Sequence, residues 1–361
     1  MLGRLWSFAR LLAKEVEVGA DLYLDLPASG GAMKRREFIG LVGASMACPV
    51  IARAQSDKRR RIGMLMAYAA SDPEAQLFLR TFFQGLSEFG WADGKNLLVD
   101  IRWSGGDVEK IQAHAKQLVA TSPDLILANT TPVIAALHRE TRTIPIVFAI
   151  AADPVGDGFI QSLAHPGGNI TGFINTEAAM GAKWLELLKE AVPQVQRAAL
   201  IFNPDTAAGR GNYFLPSFEA AARDLKVEPI ISPVRTDADI ELVIANLARE
   251  PGGGLAVMNE SFVRVHRGPI VALCAKHKVP AVYPTRIFAL DGGLVAYGPQ
   301  NADLFRRAAS YVDRVLRGSH PADLPAQLPT KFELVLNFKT AKELGLEFPP
   351  TVIARADEVI E

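Results

Sequence analysis

Thr130-Thr131-Pro132, Asp153-Pro154, Asn203-Pro204-Asp205 and Asn259-Glu260 are the stretches of this 361-residue chain where chemically useful side chains follow apolar runs. In the first, Asn129, Thr130 and Thr131 follow the run "DLILA", and Pro132 opens a helical pattern at a first-turn position, where a missing N–H costs nothing. Free backbone N–H groups and the positive end of the helix dipole point at that spot, which suits a carboxylate or another anion. The threonine hydroxyls can cap the helix, touch a ligand, or do both. Asp153 can pair with a ligand ammonium or cap its own turn. Asn203, Asp205, Asn259, Glu260, Tyr283 and Tyr297 end later runs, and Tyr68 ends the first. Polar groups and tyrosines at such ends are what a small-molecule cleft uses, and they are also ordinary cap and loop residues.

Catalytic signatures are poor. The chain has no GxSxG elbow and no HExxH pair. Its six histidines are scattered, none at metal spacing from another ligand, so no metal is expected. No carboxylate pair stands out as an acid/base couple. "HPGGNITG" lacks both the Lys-Ser/Thr ending of a phosphate loop and the GxGxxG spacing, and reads as a chain crossing. No enzyme activity and no cofactor are expected.

The elements that would position these residues alternate strand with helix. Strand-length apolar runs fall at 61–66, 96–103, 124–128, 144–150, 197–203, 253–259, 279–285 and 293–298, and "VEPIISPV" adds another. Helical periodicity fills the intervals, as in 73–90, where Leu77, Phe78, Phe82, Leu86 and Phe89 share one face. Two-sided apolar strands separated by helices predict parallel sheets covered on both faces. The units are too many for one comfortable sheet. The expected fold is α/β, with two doubly wound parallel-sheet lobes joined by a hinge, and ligands bind such sheets at the carboxyl ends of the strands. Crossings near Gly172, Gly298 and Leu328 would divide the chain into lobe one (60–172 and 298–328) and lobe two (173–297 and 329–361).

Residues 1–54 stand apart. Lys34-Arg35-Arg36, an uncharged apolar stretch from Phe38 to Val50, and Ala52-Arg53-Ala54 form the three parts of a secretory signal. Arg35-Arg36 followed by Glu37-Phe38-Ile39 is twin-arginine-like, which makes Met33 the expected start and Ala54 the last residue removed. Cys48 has Ser45 where a lipobox needs Leu, which argues against a lipid anchor. Without 1–54, the 39 basic and 39 acidic residues lose seven and five respectively, leaving two more acidic than basic. That balance offers no basic field for nucleic acid. Cys274 is the one remaining cysteine and reads as a buried small hydrophobe.

From Arg61 to about Gly345 the sequence resembles the bacterial ABC-transporter substrate-binding protein family, in the group with tryptophan- and tyrosine-binding relatives. The matching stretches are "GLSEFGWADGKNLLVDIRW" (85–103), "TPVIAAL" (131–137), "IPIVFAIAADPVGDGFIQSLAHPGGNITGF" (144–173), "LRGSHPADLP" (316–325) and "LNFKTAKELGL" (336–346). The resemblance implies a type I periplasmic-binding-protein-like fold, a cleft that closes on its ligand, a permease partner in the inner membrane, and no chemistry. It places the Thr131-Pro132 and Asp153-Pro154 turns at the cleft. Asn259-Glu260 stands where amino-acid-binding relatives tend to have Asp-Asn, and 205–212 departs from their Glu and Asn-Ser. The expectation is an exported, periplasmic, monomeric solute-binding protein for a small polar or zwitterionic molecule. An anionic group would sit at Thr130/Thr131, and Asp153, Asp205 or Glu260 would take the cationic end. Two other readings stay open: a periplasmic ligand-sensing module for a membrane receptor, and a doubly wound cleft enzyme.

Overall fold

The computed structural model describes residues 59–361, so the export signal, the start codon and the Cys48 question lie outside the described residues. Among the described residues, twelve strands form two sheets. The first sheet holds β1 (Arg60–Met66), β2 (Leu97–Trp103), β3 (Leu125–Asn129), β4 (Ile146–Ala151) and β5 (Ile170–Ile174), in the order β2-β1-β3-β4-β5, all parallel. Strands β3, β4 and β5 are buried at every residue, which explains their continuous apolar runs.

The second sheet holds β6 (Arg197–Phe202), β7 (Glu228–Pro233), β8 (Gly253–Val257), β9 (Ala281–Tyr283), β10 (Val295–Pro299), β11 (Phe332–Asn337) and β12 (Glu358–Ile360). Their order is β12-β11-β10-β9-β8-β6-β7. The pattern of parallel strands has one exception, since β11 runs antiparallel to β10. The chain leaves this lobe along β10 and re-enters it along β11, so the two neighbours point opposite ways.

Helix α1 (Pro73–Glu88) starts where Asp72 accepts from the N–H groups of Glu74 at 3.0 Å and Ala75 at 2.9 Å. It buries Phe78, Leu79, Phe82 and Leu86. Helices α2 (Val108–Ala120) and α3 (Thr131–Glu140) complete the first βα units. In the second lobe come α4 (Met180–Ala191), α5 (Leu215–Leu225), α6 (Asp237–Leu247), α7 (Ser261–Val265), α8 (Arg267–His277) and α9 (Arg286–Leu290). Helix α10 (Asn301–Leu316) returns to the first lobe. Its Leu304, Phe305, Ala308 and Val312 enter the same core as β1–β5, and Phe305 stacks on Phe78 at 4.8 Å. Each such ring adds roughly 2–3 kcal/mol of burial. Short helices α11 (Phe338–Leu344) and α12 (Pro350–Ile353) end the second lobe.

The chain crosses between lobes after Ile174, after Pro299, and between Ala326 and Phe332. Two crossings are tied together: Ile174 N–H donates to Gln327 O at 2.8 Å, and Gln327 N–H to Gly172 O at 2.9 Å. Gly172 is required there, because a Cβ would stand 2.1 Å from the Phe148 carbonyl oxygen.

Candidate ligand-binding cleft

The carboxyl ends of β1, β3 and β4 face those of β6 and β8 across a narrow cleft. Tyr68, Thr130, Thr131, Pro132 and Ile150 line it from lobe one, and Thr206, Asn259, Glu260, Ser261 and Arg264 from lobe two. Asn175 and Asn301 line it from the crossings.

On the lobe-one wall, Thr130 precedes α3 with φ 68° and ψ 150°, and its side chain does not cap the helix. Its N–H donates to Ile150 O at 2.9 Å, and Ile150 also has φ 68°. Two non-glycine residues, both β-branched, therefore hold strained backbone at the cleft; such positions cost on the order of 1–3 kcal/mol each. The buried Thr130 hydroxyl makes no cap hydrogen bond to the helix and has no partner among the described residues. The first N–H groups of α3 are left to whatever occupies the cleft. Behind this wall Asn129 fixes β1, accepting from Ala67 N–H at 2.8 Å through Oδ1. Asn129 is not in the lining, and its Nδ2 is buried without a partner.

On the lobe-two wall, Glu260 is a clamp. Its Oε1 accepts from Asn203 N–H at 3.2 Å and Val263 N–H at 3.0 Å; Oε2 accepts from Phe262 N–H at 2.6 Å and from the Thr206 hydroxyl. Burial pushes this carboxyl up, against hydrogen bonds from Thr206 and the three N–H groups that favour its charged form. A carboxylate offers about four acceptor sites, so Glu260 has none left for a ligand ammonium. It joins the end of β6 to the start of α7 and holds Asn259 at the cleft, where Asn259 Nδ2 has no partner.

Arg264 and Asn301 were not found from the sequence. Arg264 is 5% exposed, and its Nε has no partner. Its Nη2 lies 3.3 Å from Asp72 Oδ1 and its Nη1 donates to Glu74, both in lobe one, while the guanidinium covers the Tyr68 ring at 4.3 Å. Tyr68 therefore has one face occupied by Arg264. Burial pushes its hydroxyl up, and the charge of Arg264 opposes the rise. Asn301 starts α10 with a buried, unpartnered Oδ1. An arginine set among apolar residues in "SFVRV" was the available signal, since arginine is rarely buried unless paired.

The remaining sequence candidates lie outside the lining. Asp153 caps a turn, accepting from Gly156 N–H at 2.8 Å. Asn203 closes a turn through Oδ1, which accepts from Asp205 N–H at 2.8 Å. Asp205 is exposed and pairs with Arg235 at 3.1 Å and Arg210 at 3.8 Å. Tyr283 is 1% exposed in the lobe-two core, stacked on Phe288, and burial pushes its hydroxyl well up. Tyr297 stacks on Phe332, and its carbonyl accepts from Trp184 Nε1 at 3.1 Å. A strand-end position fixes where a residue is, not which way its side chain turns. No group of three or more potential metal ligands is assembled among the described residues, and no helix among them is long and apolar enough to cross a membrane.

Comparison with known proteins agrees with this geometry. The family model described as "ABC transporter substrate binding protein" matches residues 68–360. A "Tyrosine-binding protein" of Clostridioides difficile (strain R20291) is 26% identical over 296 residues, covering 82% of this chain and 84% of that one. A solved conserved domain protein from Vibrio cholerae superposes with TM-score 0.77 at 24% identity, covering 84% of this chain and all of the other. The domain solved in complex with L-Trp from Streptococcus pneumonia superposes with TM-score 0.76 at 26% identity, again covering 84% of this chain and 100% of that chain. Two parallel-sheet lobes, a polar cleft at their strand ends and a family match over nearly all of the described residues lead to one conclusion: the chain belongs to the ABC transporter substrate binding protein family, a family of solute binders rather than enzymes.

Proposed function

We propose that this protein captures a small polar or zwitterionic, amino-acid-like molecule between its lobes and delivers it, outside the cytoplasmic membrane, to the permease of an ABC importer. One observation carries the reading. Thr130 Oγ1, Asn259 Nδ2, Arg264 Nε and Asn301 Oδ1 are buried polar atoms without partners, they come from both lobes and a crossing, and all four belong to residues lining one cleft. Buried polar groups are normally satisfied, so a convergent set of orphans describes the partner that would satisfy it. Two donors, one acceptor and one hydroxyl, beside the start of α3, match a compact molecule with an anionic end and further hydrogen-bonding groups.

The acids expected at the cationic end are committed elsewhere, Asp153 and Asp205 outside the lining and Glu260 to its four donors. An ammonium is then left to Asn301 Oδ1 and to hydroxyl oxygens. The tyrosine- and L-Trp-binding relatives support an amino-acid-like ligand. The predicted signal and the family support export and a permease partner.

Thermal unfolding with a panel of amino acids, led by L-tyrosine and L-tryptophan, and of small carboxylates tests this. A ligand at 100 times its Kd stabilises by about 2.7 kcal/mol, a clear rise in Tm. No stabilisation by any of several hundred metabolites would overturn the reading.

A further inference from the structure

Arg264 stands on the lobe-two wall, yet its charged partners lie in lobe one. Nη1 and Nη2 reach Glu74 and Asp72 at the start of α1. Arg267 reinforces the contact, with Nη1 2.8 Å from Asp72 Oδ2 and Nε 2.8 Å from Asp291 of its own lobe. The side chains of Arg264 and Asp72 are 6% and 10% exposed, so this is a buried ion-pair cluster spanning the gap. Separating the lobes takes it apart and returns each charge to water. Burying such charges is offset only when every donor finds an acceptor. Arg264 falls short at its Nε, which is buried, unpartnered among the described residues and part of a residue lining the cleft.

We propose that Arg264 is the positioning residue that makes lobe closure depend on the ligand: its two Nη groups latch Asp72 and Glu74 across the gap, and its Nε takes an acceptor oxygen of the bound molecule. This rests on the cleft being the solute site. Without ligand, closure forms the latch but strands one donor of its central cation. With ligand, Nε is paired as well, and each guanidinium nitrogen of Arg264 has an acceptor. The contact exists only in the closed form, so it favours that form when the cleft is filled. The guanidinium also occupies one face of Tyr68, which withholds that face from a stacking ligand.

The test reads closure directly. A Cβ at Gly106, in lobe one, would lie 3.4 Å from Cβ of Val265, in lobe two, within reach of a disulfide; Gly106 has φ 84°, so its cysteine is strained, equally in the parent and in every variant compared. The full chain carrying Cys48→Ser, Gly106→Cys and Val265→Cys is the parent, and its rate of disulfide formation measures the closed population. Asp72→Asn with Glu74→Gln removes the latch charges; Asn caps a helix about as well as Asp, so α1 keeps its start. Thermal unfolding first confirms that each variant folds. Without ligand, the double variant should cross-link at least about ten-fold more slowly than the parent, which is about 1.4 kcal/mol. Equal rates overturn the latch, whatever the cleft binds. L-tyrosine, L-tryptophan or any panel molecule that stabilises the parent should then accelerate its cross-linking. Arg264→Lys keeps the charge, loses Nε and should lose most of that acceleration. Full acceleration in Arg264→Lys overturns the role of Nε. If no panel molecule stabilises the parent, the solute reading fails while the ligand-free comparison still decides the latch.

Discussion

Replacing Glu260 separates a structural clamp from a ligand contact. The carboxylate receives three backbone N–H groups and one hydroxyl in a buried setting. Glu260→Ala removes all four acceptor sites. A hydroxyl can turn to another partner, but the three N–H groups cannot, and each unsatisfied buried donor costs about 1–3 kcal/mol. Water entering the vacated space recovers part of this, so about 4 kcal/mol of lost stability is expected. Glu260→Gln keeps one oxygen for Asn203 and Val263. Its amide nitrogen then faces the Phe262 N–H and the Thr206 hydroxyl; the hydroxyl can reverse and accept, leaving one opposed donor and a loss of about 2 kcal/mol. Urea unfolding monitored by far-ultraviolet circular dichroism measures both, with an unchanged m-value confirming that the denatured state is comparable. The clamp is refuted if Glu260→Ala lies within about 1 kcal/mol of the parent, below the cost of a single orphaned donor. If both variants keep their stability but lose ligand stabilisation, Glu260 touches the ligand instead.

Three further expectations follow from local geometry. Thr130→Gly relieves a backbone conformation that favours glycine and should raise stability by about 1 kcal/mol after glycine's own entropic cost, while removing the orphaned hydroxyl and weakening ligand-induced shifts in Tm. The Cys274 thiol is buried and pushed up to about 12, so in a Cys48→Ser background a thiol reagent at pH 8 should label nothing until denaturant is added; rapid labelling of the native protein contradicts the burial. Asp239 is held below its ordinary 3.8, first by Arg235 N–H and then by Thr236, as part of the box that caps α6. Its contribution is therefore complete above that ordinary value and lost as pH falls through the lower folded one. The stability gap between the parent and Asp239→Asn should accordingly close in acid, and a gap that widens there refutes the assignment.

Much of the fold was readable because its strands are covered on both faces, which leaves continuous apolar runs such as "DLILA" and "IPIVFAI". Strand β11 was missed: "FELVLN" carries a charge near its start and leads directly into α11. The crossings placed 298–328 with lobe one, but nothing local in α10 says that its Phe305 meets Phe78. At the cleft, Thr130, Thr131 and Asn259 were readable as polar residues just past buried strands. Asp205 satisfied the same rule, yet it turns outward to Arg235. The roles of Arg264 and Asn301 depend on two lobes approaching each other, a relation between residues far apart in the chain.

The return of α10 to the first lobe has a consequence for synthesis. A ribosome has produced every strand of the five-stranded sheet once Ile174 has emerged, but the helix that packs on β3, β4 and β5 arrives only after β6 to β10. Until Leu304, Phe305 and Val312 are translated, an apolar face of that sheet stays bare, a surface that invites aggregation or a holding chaperone. The nascent chain therefore cannot finish its N-terminal half first. A chain stopped before Asn301 is expected to leave that face of the sheet uncovered and the cleft without its Asn301 wall.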